Sequence, residues 1–77
     1  MTHAHRTASL RASIRLDLIE AKRLEAEVLD GTALEYERSQ DLPRGYVAGL
    51  ALQYRQNAER LLDKLDSLIR AYKNKKP

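Results

Sequence analysis

The sequence predicts an all-α fold: two long antiparallel helices forming a helical hairpin, with two hairpins pairing into a dimeric four-helix bundle. Three observations predict it. Residues 47–72 carry an unbroken heptad seam, and residues 10–28 carry an amphipathic stripe. Between them lies "QDLPRGYVAG", with one of the two prolines and two of the three glycines in the chain. The apolar stock is thirteen Leu, three Ile and two Val without Phe or Trp, a helix-favouring composition. Cysteine is absent, which excludes disulfides and thiol chemistry.

Residues 1–7 read as a flexible N-terminus. His3 and His5 are the only histidines, and Met-Thr-His is a nominal Cu(II) or Ni(II) ligand set. Removal of Met1 ahead of Thr2 breaks its spacing, so no metal site is expected.

The first arm is expected over about residues 8–38. Leu10, Ile14, Leu18, Ala21, Leu24 and Val28 form one stripe with Leu29 at its edge, and Leu16, Ile19 and Ala26 lie on the other side. Asp17 falls among the stripe residues. It is read either as an edge group reaching water or as a carboxylate held by a Tyr hydroxyl or an Arg across an interface. Asp30-Gly31 resembles a helix end and Thr32-Ala-Leu-Glu35 a capping box, so a kink or break is expected at Gly31.

Residues 39–45 form the corner. Leu42 precedes Pro43 and is pushed out of the helical region, and Gly45 reaches conformations closed to other residues. Asp41 suits the positive end of the helix that follows.

The second arm is expected over about residues 46–73, with a basic tail at 74–77. Val47, Ala51, Tyr54, Ala58, Leu61, Leu65, Leu68 and Tyr72 are spaced 4, 3, 4, 3, 4, 3, 4, the seam of a coiled coil. Leu50, Leu62 and Ile69 widen it. Arg55, Gln56, Arg60, Asp63 and Arg70 face away, with Arg55–Glu59 and Asp66–Arg70 as i,i+4 pairs. Gly49 falls off the seam, where close approach of another backbone would account for a glycine.

Net charge is +3, distributed as basic, acidic and basic segments. Folding back at the corner gathers Arg6, Arg11, Arg15, Arg70, Lys73, Lys75 and Lys76 at one pole, as candidate phosphate contacts. Leu16, Ile19, Leu52 and Leu34 lie outside the stripe that one partner helix covers, which argues for a homodimer or a protein partner. Leu16, Ile19, Tyr36 and Tyr46 are the candidate partner surface.

No nucleophile with a base, phosphate loop, zinc pattern or calcium loop is present, so neither an enzyme nor a cofactor is expected. No apolar run approaches a membrane span, and a cytoplasmic location is expected. The function expected is a small protein–protein interaction module. It would be a regulator or inhibitor of the kind phages and plasmids often encode, occluding a host protein. The alternative is a nucleic-acid-binding accessory protein using the basic pole.

Overall fold

A computed structural model describes residues 2–75. It is all-helical among those residues, with α1 at His3–Asp30, α2 at Thr32–Ser39 and α3 at Tyr46–Lys75. α1 and α3 lie side by side and antiparallel in a body of 59 × 18 × 15 Å.

α1 begins five residues before the expected start at residue 8, so residues 3–7 of the expected flexible terminus are helical. Thr2 is the reason: its Oγ1 accepts the His5 N–H at 3.1 Å, satisfying one of the orphan donors of a first turn. Thr7 is buried, and its hydroxyl donates to the Ala4 carbonyl at 3.0 Å. At the far end Gly31 takes φ 89, the left-handed conformation in which a side chain is strained, and α1 stops there. The first arm is therefore broken at Gly31, and α2 is a separate two-turn helix.

The expected capping box at Thr32–Glu35 is replaced by a different device. Asp30 Oδ1 accepts both the Thr32 N–H at 2.9 Å and the Thr32 hydroxyl at 2.6 Å. The side chain that caps α2 thus comes from the last residue of α1. The hydroxyl bond holds the Asp30 carboxyl below its ordinary range.

Two apolar clusters join the arms. Near the corner Leu24, Ala33, Val47 and Ala51 are buried together, with Leu50 packed against them. Further along, Ile14, Ala58 and Leu65 are buried, flanked by Leu10, Leu18, Leu61 and Ile69. Ala21 and Ala58 are wholly enclosed, so small side chains sit where the helices approach most closely. Among the described residues four of the eight buried hydrophobic ones are alanines, and most of the larger apolar side chains lie outside this core.

Within the seam, Val47, Ala51, Ala58 and Leu65 are buried and Leu61 and Leu68 half-buried. Tyr54 and Tyr72 stand at its margin, exposed, rather than in the core where their spacing placed them. The Tyr54 ring is too wide for the close approach set by its seam neighbours Ala51 and Ala58, and the Tyr72 ring stacks on His3 at the end of the other arm. Gly49 has open space around the position of a Cβ, so close backbone approach within the chain is not its reason.

Candidate functional site

The hairpin has two sides, and heptad rows separate them. On α1, Arg11, Leu18 and Glu25 form one row and Arg15, Lys22 and Leu29 the next; on α3, Ala48, Arg55 and Leu62 form a third. Members of all three rows line two grooves. One, about 470 Å³, is walled by Glu25, Val28, Leu29, Ala48, Ala51, Leu52 and Arg55. The second, about 340 Å³, is walled by Ile14, Leu18, Ile19, Leu62 and Leu65 with Arg11, Arg15 and Lys22. Because the rows are shared, the two grooves run along the same side of the molecule. Leu29 is 88% exposed there, and Ile19, Val28, Leu52 and Leu62 are exposed as well. Five large aliphatic side chains on one side of a small protein form a patch of the kind that marks interaction sites.

One ion pair crosses this side. Arg55 Nε and a terminal nitrogen donate to the two Glu25 carboxylate oxygens at 2.6 and 2.7 Å, a bidentate contact between α3 and α1. The contact holds Glu25 below the usual carboxylate range and raises Arg55. The expected Arg55–Glu59 pair is therefore superseded: Arg55 turns to the other arm, where a forked geometry is available. Arg70–Asp66 forms as expected, at 3.0 Å.

The opposite side is polar. Asp17 Oδ2 accepts the Asn57 side-chain amide at 2.6 Å, and Arg60 donates to the Asn57 carbonyl oxygen. Asp17 is thus held across the arms by an amide, and neither a Tyr nor an Arg touches it directly. Arg23 bridges Glu20 and Glu27, each at 2.7 Å, and lowers the Glu20 carboxyl. Asp17, Glu20 and Glu27 belong to the rows of Leu10–Asp17–Leu24 and Ser13–Glu20–Glu27, away from the grooves.

At the corner a buried carboxylate does what Asp41 was expected to do. Glu37, 4% exposed, accepts the Gly45 N–H at 3.1 Å and the Val47 N–H at 2.8 Å, capping the start of α3 from the last turn of α2. Asp41 instead takes φ 55 in the turn and points to solvent. Gly45 has φ 91, and the Leu42 N–H returns to the Glu37 carbonyl at 2.8 Å.

The candidate partner surface is exposed but divided. Leu16 and Ile19 lie in the middle of α1, whereas Tyr36 is on α2 and Tyr46 opens α3. At about 1.5 Å per residue, Ile19 is some 16 Å short of the helix break. Ile19 belongs to the groove side; Leu16, 64% exposed, lines neither groove.

The two chain ends meet as the hairpin requires, with the His3 and Tyr72 rings stacked at 4.1 Å and 14°. Arg6, Arg11, Arg15, Arg70 and Lys73 are all exposed at this pole. They do not form one stripe. Arg11 and Arg15 border the apolar groove, Arg6 borders a separate groove with Leu10, Lys64 and Leu68, and Arg70 is paired with Asp66. Lys75 ends α3, and Lys76 lies outside the described residues.

Four contacts between distant residues carry no mark at helical spacing: Glu37 to α3, Glu25–Arg55, Asp17–Asn57 and His3–Tyr72, all at least eight positions apart. The Arg23 bridge to Glu20 and Glu27 and the Thr2 and Asp30 caps were not anticipated either, although their spacing is local. Among the described residues no group of three His, Cys, Asp or Glu side chains is placed to hold a metal ion. No helix among them is long and apolar enough to cross a membrane. In comparisons with family models, with curated proteins and with solved structures, the chain matches none.

Proposed function

We propose that the chain is a small non-enzymatic protein–protein interaction module. Two copies form a four-helix bundle, and the assembly acts as a regulator or inhibitor by covering a functional surface of another protein. The observation supporting this is the inversion of the usual apolar distribution. Half of the buried hydrophobic residues are alanines, while Leu16, Ile19, Val28, Leu29, Leu52 and Leu62 are exposed. A two-helix frame of this size gains little from its own core, and association supplies the missing burial.

Of the candidate surface, Leu16, with Tyr36 and Tyr46 at the corner, is offered to the partner, because Ile19 lies on the grooved side that pairing would cover. The test is affinity capture from the native host with the wild-type chain and with Leu16→Glu in parallel. A partner retained by the first and lost by the second supports the reading; equal capture by both contradicts this surface.

One observation favours a second reading, nucleic-acid binding. Arg6, Arg11, Arg15 and Lys73 are exposed and make no ion pair among the described residues. Binding of this kind falls steeply with salt. No shift of DNA or RNA at low salt removes it.

A further inference from the structure

We infer that the apolar grooved side is the surface on which a second copy of this chain docks, and that the two hairpins lie antiparallel to each other. This rests on the dimeric reading above and specifies its face and direction.

Only one side of the hairpin is suited to self-burial. Ile19, Val28, Leu29, Leu52 and Leu62 are exposed along the walls of the two grooves. The grooved side carries one ion pair, Glu25–Arg55, among these aliphatic side chains. The other side carries the Asp17–Asn57–Arg60 chain and the Glu20–Arg23–Glu27 bridge, so a second copy there would dehydrate more charge for less apolar burial. The area is sufficient. A side of 59 by 18 Å presents on the order of 1,000 Å², against about 800 Å² contributed by each partner of a standard interface. Full overlap requires the two long axes to run together.

Charge selects the direction. Residues 2–16 and 67–75 carry six bases and no acid, with Arg70 paired to Asp66, and the His3–Tyr72 stack holds both segments at one pole. Residues 25–48, at the corner, carry six acids against Arg38 and Arg44. Parallel hairpins would set like pole against like pole. A two-fold axis at mid-length sets each basic pole beside the other copy's acidic corner. Arg11 and Arg15, on the rim of the second groove, then run along the exposed Asp30, Glu35 and Asp41 of the other copy. The same axis carries Ile19 and Leu62 of one copy toward the groove between Leu29 and Leu52 of the other. Closed two-fold pairing repeats each contact twice.

The chain has no cysteine, so a single introduced thiol reports cleanly. Gln40→Cys places one spin label on the exposed corner, and the distance between labels in the dimer is read by pulsed dipolar spectroscopy. The antiparallel arrangement predicts a separation approaching the 59 Å molecular length. Parallel hairpins would bring the corners within about two helix diameters, roughly 20 Å. In parallel, light scattering on Leu52→Glu is expected to show the mass halved, and Leu16→Glu, outside the grooves, to leave the dimer intact.

A short corner-to-corner distance overturns the proposal while leaving the dimeric reading standing, as does a dimer insensitive to Leu52→Glu. A wild-type chain that stays monomeric overturns both. If Leu52→Glu loses helical circular dichroism, the label distance in the otherwise unaltered chain decides alone.

Discussion

Glu37 is the residue whose replacement tests the corner most sharply. Its carboxylate is buried and accepts two backbone N–H groups at the start of α3, from Gly45 and from Val47. Glu37→Ala removes both bonds. The Gly45 N–H belongs to an exposed residue, and water replaces its lost partner at little cost. Val47 is buried at 3% exposure, so its N–H is left unsatisfied or must draw water into the core beside Leu24 and Ala33. A buried unsatisfied donor costs about 1–3 kcal/mol. Loss of a helix N-cap typically costs about 1 kcal/mol, and the Val47 penalty overlaps with it. Together they place Glu37→Ala at roughly 2–3 kcal/mol of destabilisation. Glu37→Gln keeps an acceptor but loses the charge, and charge-assisted bonds are about twice as strong as neutral ones, so about 1 kcal/mol is expected. The assay is urea unfolding followed by helical circular dichroism at one fixed chain concentration, because association contributes to apparent stability. Asp63→Ala, exposed on the outer face of α3, is the control. If Glu37→Ala costs no more than Asp63→Ala, the carboxylate does not hold the two helices together and the reasoning fails.

Further outcomes follow from other contacts. Glu25 is held below its ordinary value of 4.5 by Arg55, so its contribution is present above that value and is lost as pH falls through the lowered one. Thermal midpoints measured between about pH 5 and 3 should fall more in the wild type than in Glu25→Gln, and equal falls would remove the pair from the account. Gly49→Ala should stabilise the chain by up to about 1 kcal/mol, because the site is helical and open. Gly31→Ala should destabilise it by about 1–2 kcal/mol, because Gly31 is at φ 89. Urea midpoints that move both variants in the same direction would contradict those assignments.

Features set by helical spacing or turn residues were legible for the most part: the seam from Val47 to Leu68 apart from Tyr54, a kink or break at Gly31, the corner around Pro43 and Gly45, and the Asp66–Arg70 pair. These depend on near neighbours, which periodicity and turn residues record directly. The Thr2 cap and the Arg23 bridge to Glu20 and Glu27 went unmarked although they are local. Contacts between arms were not legible. Arg55 had an acid four residues on in Glu59, yet its fork closes on Glu25 thirty residues away. Asp41 had the right charge beside the next helix, but Glu37 reaches that helix from a turn earlier. In both cases the local partner was available, and the partner brought by the fold gave better hydrogen-bond geometry. Tyr54 stands outside the core because heptad spacing marks a direction and not the room between two helices, and Tyr72 stacks on His3, a contact that no spacing records. The apolar side could have been anticipated in part, because Leu18, Leu29, Leu52 and Leu62 fall on adjacent rows. Only the packing of α1 against α3 shows that these rows face the same way.

Sedimentation equilibrium across a range of salt concentrations decides whether two hairpins pair in this way. If antiparallel hairpins join by their apolar sides with opposite poles adjacent, the mass is about twice 8.8 kDa. Dimerisation then weakens as salt screens the poles from each other. A monomer at every salt concentration, or a dimer that tightens as salt rises, would contradict this pairing.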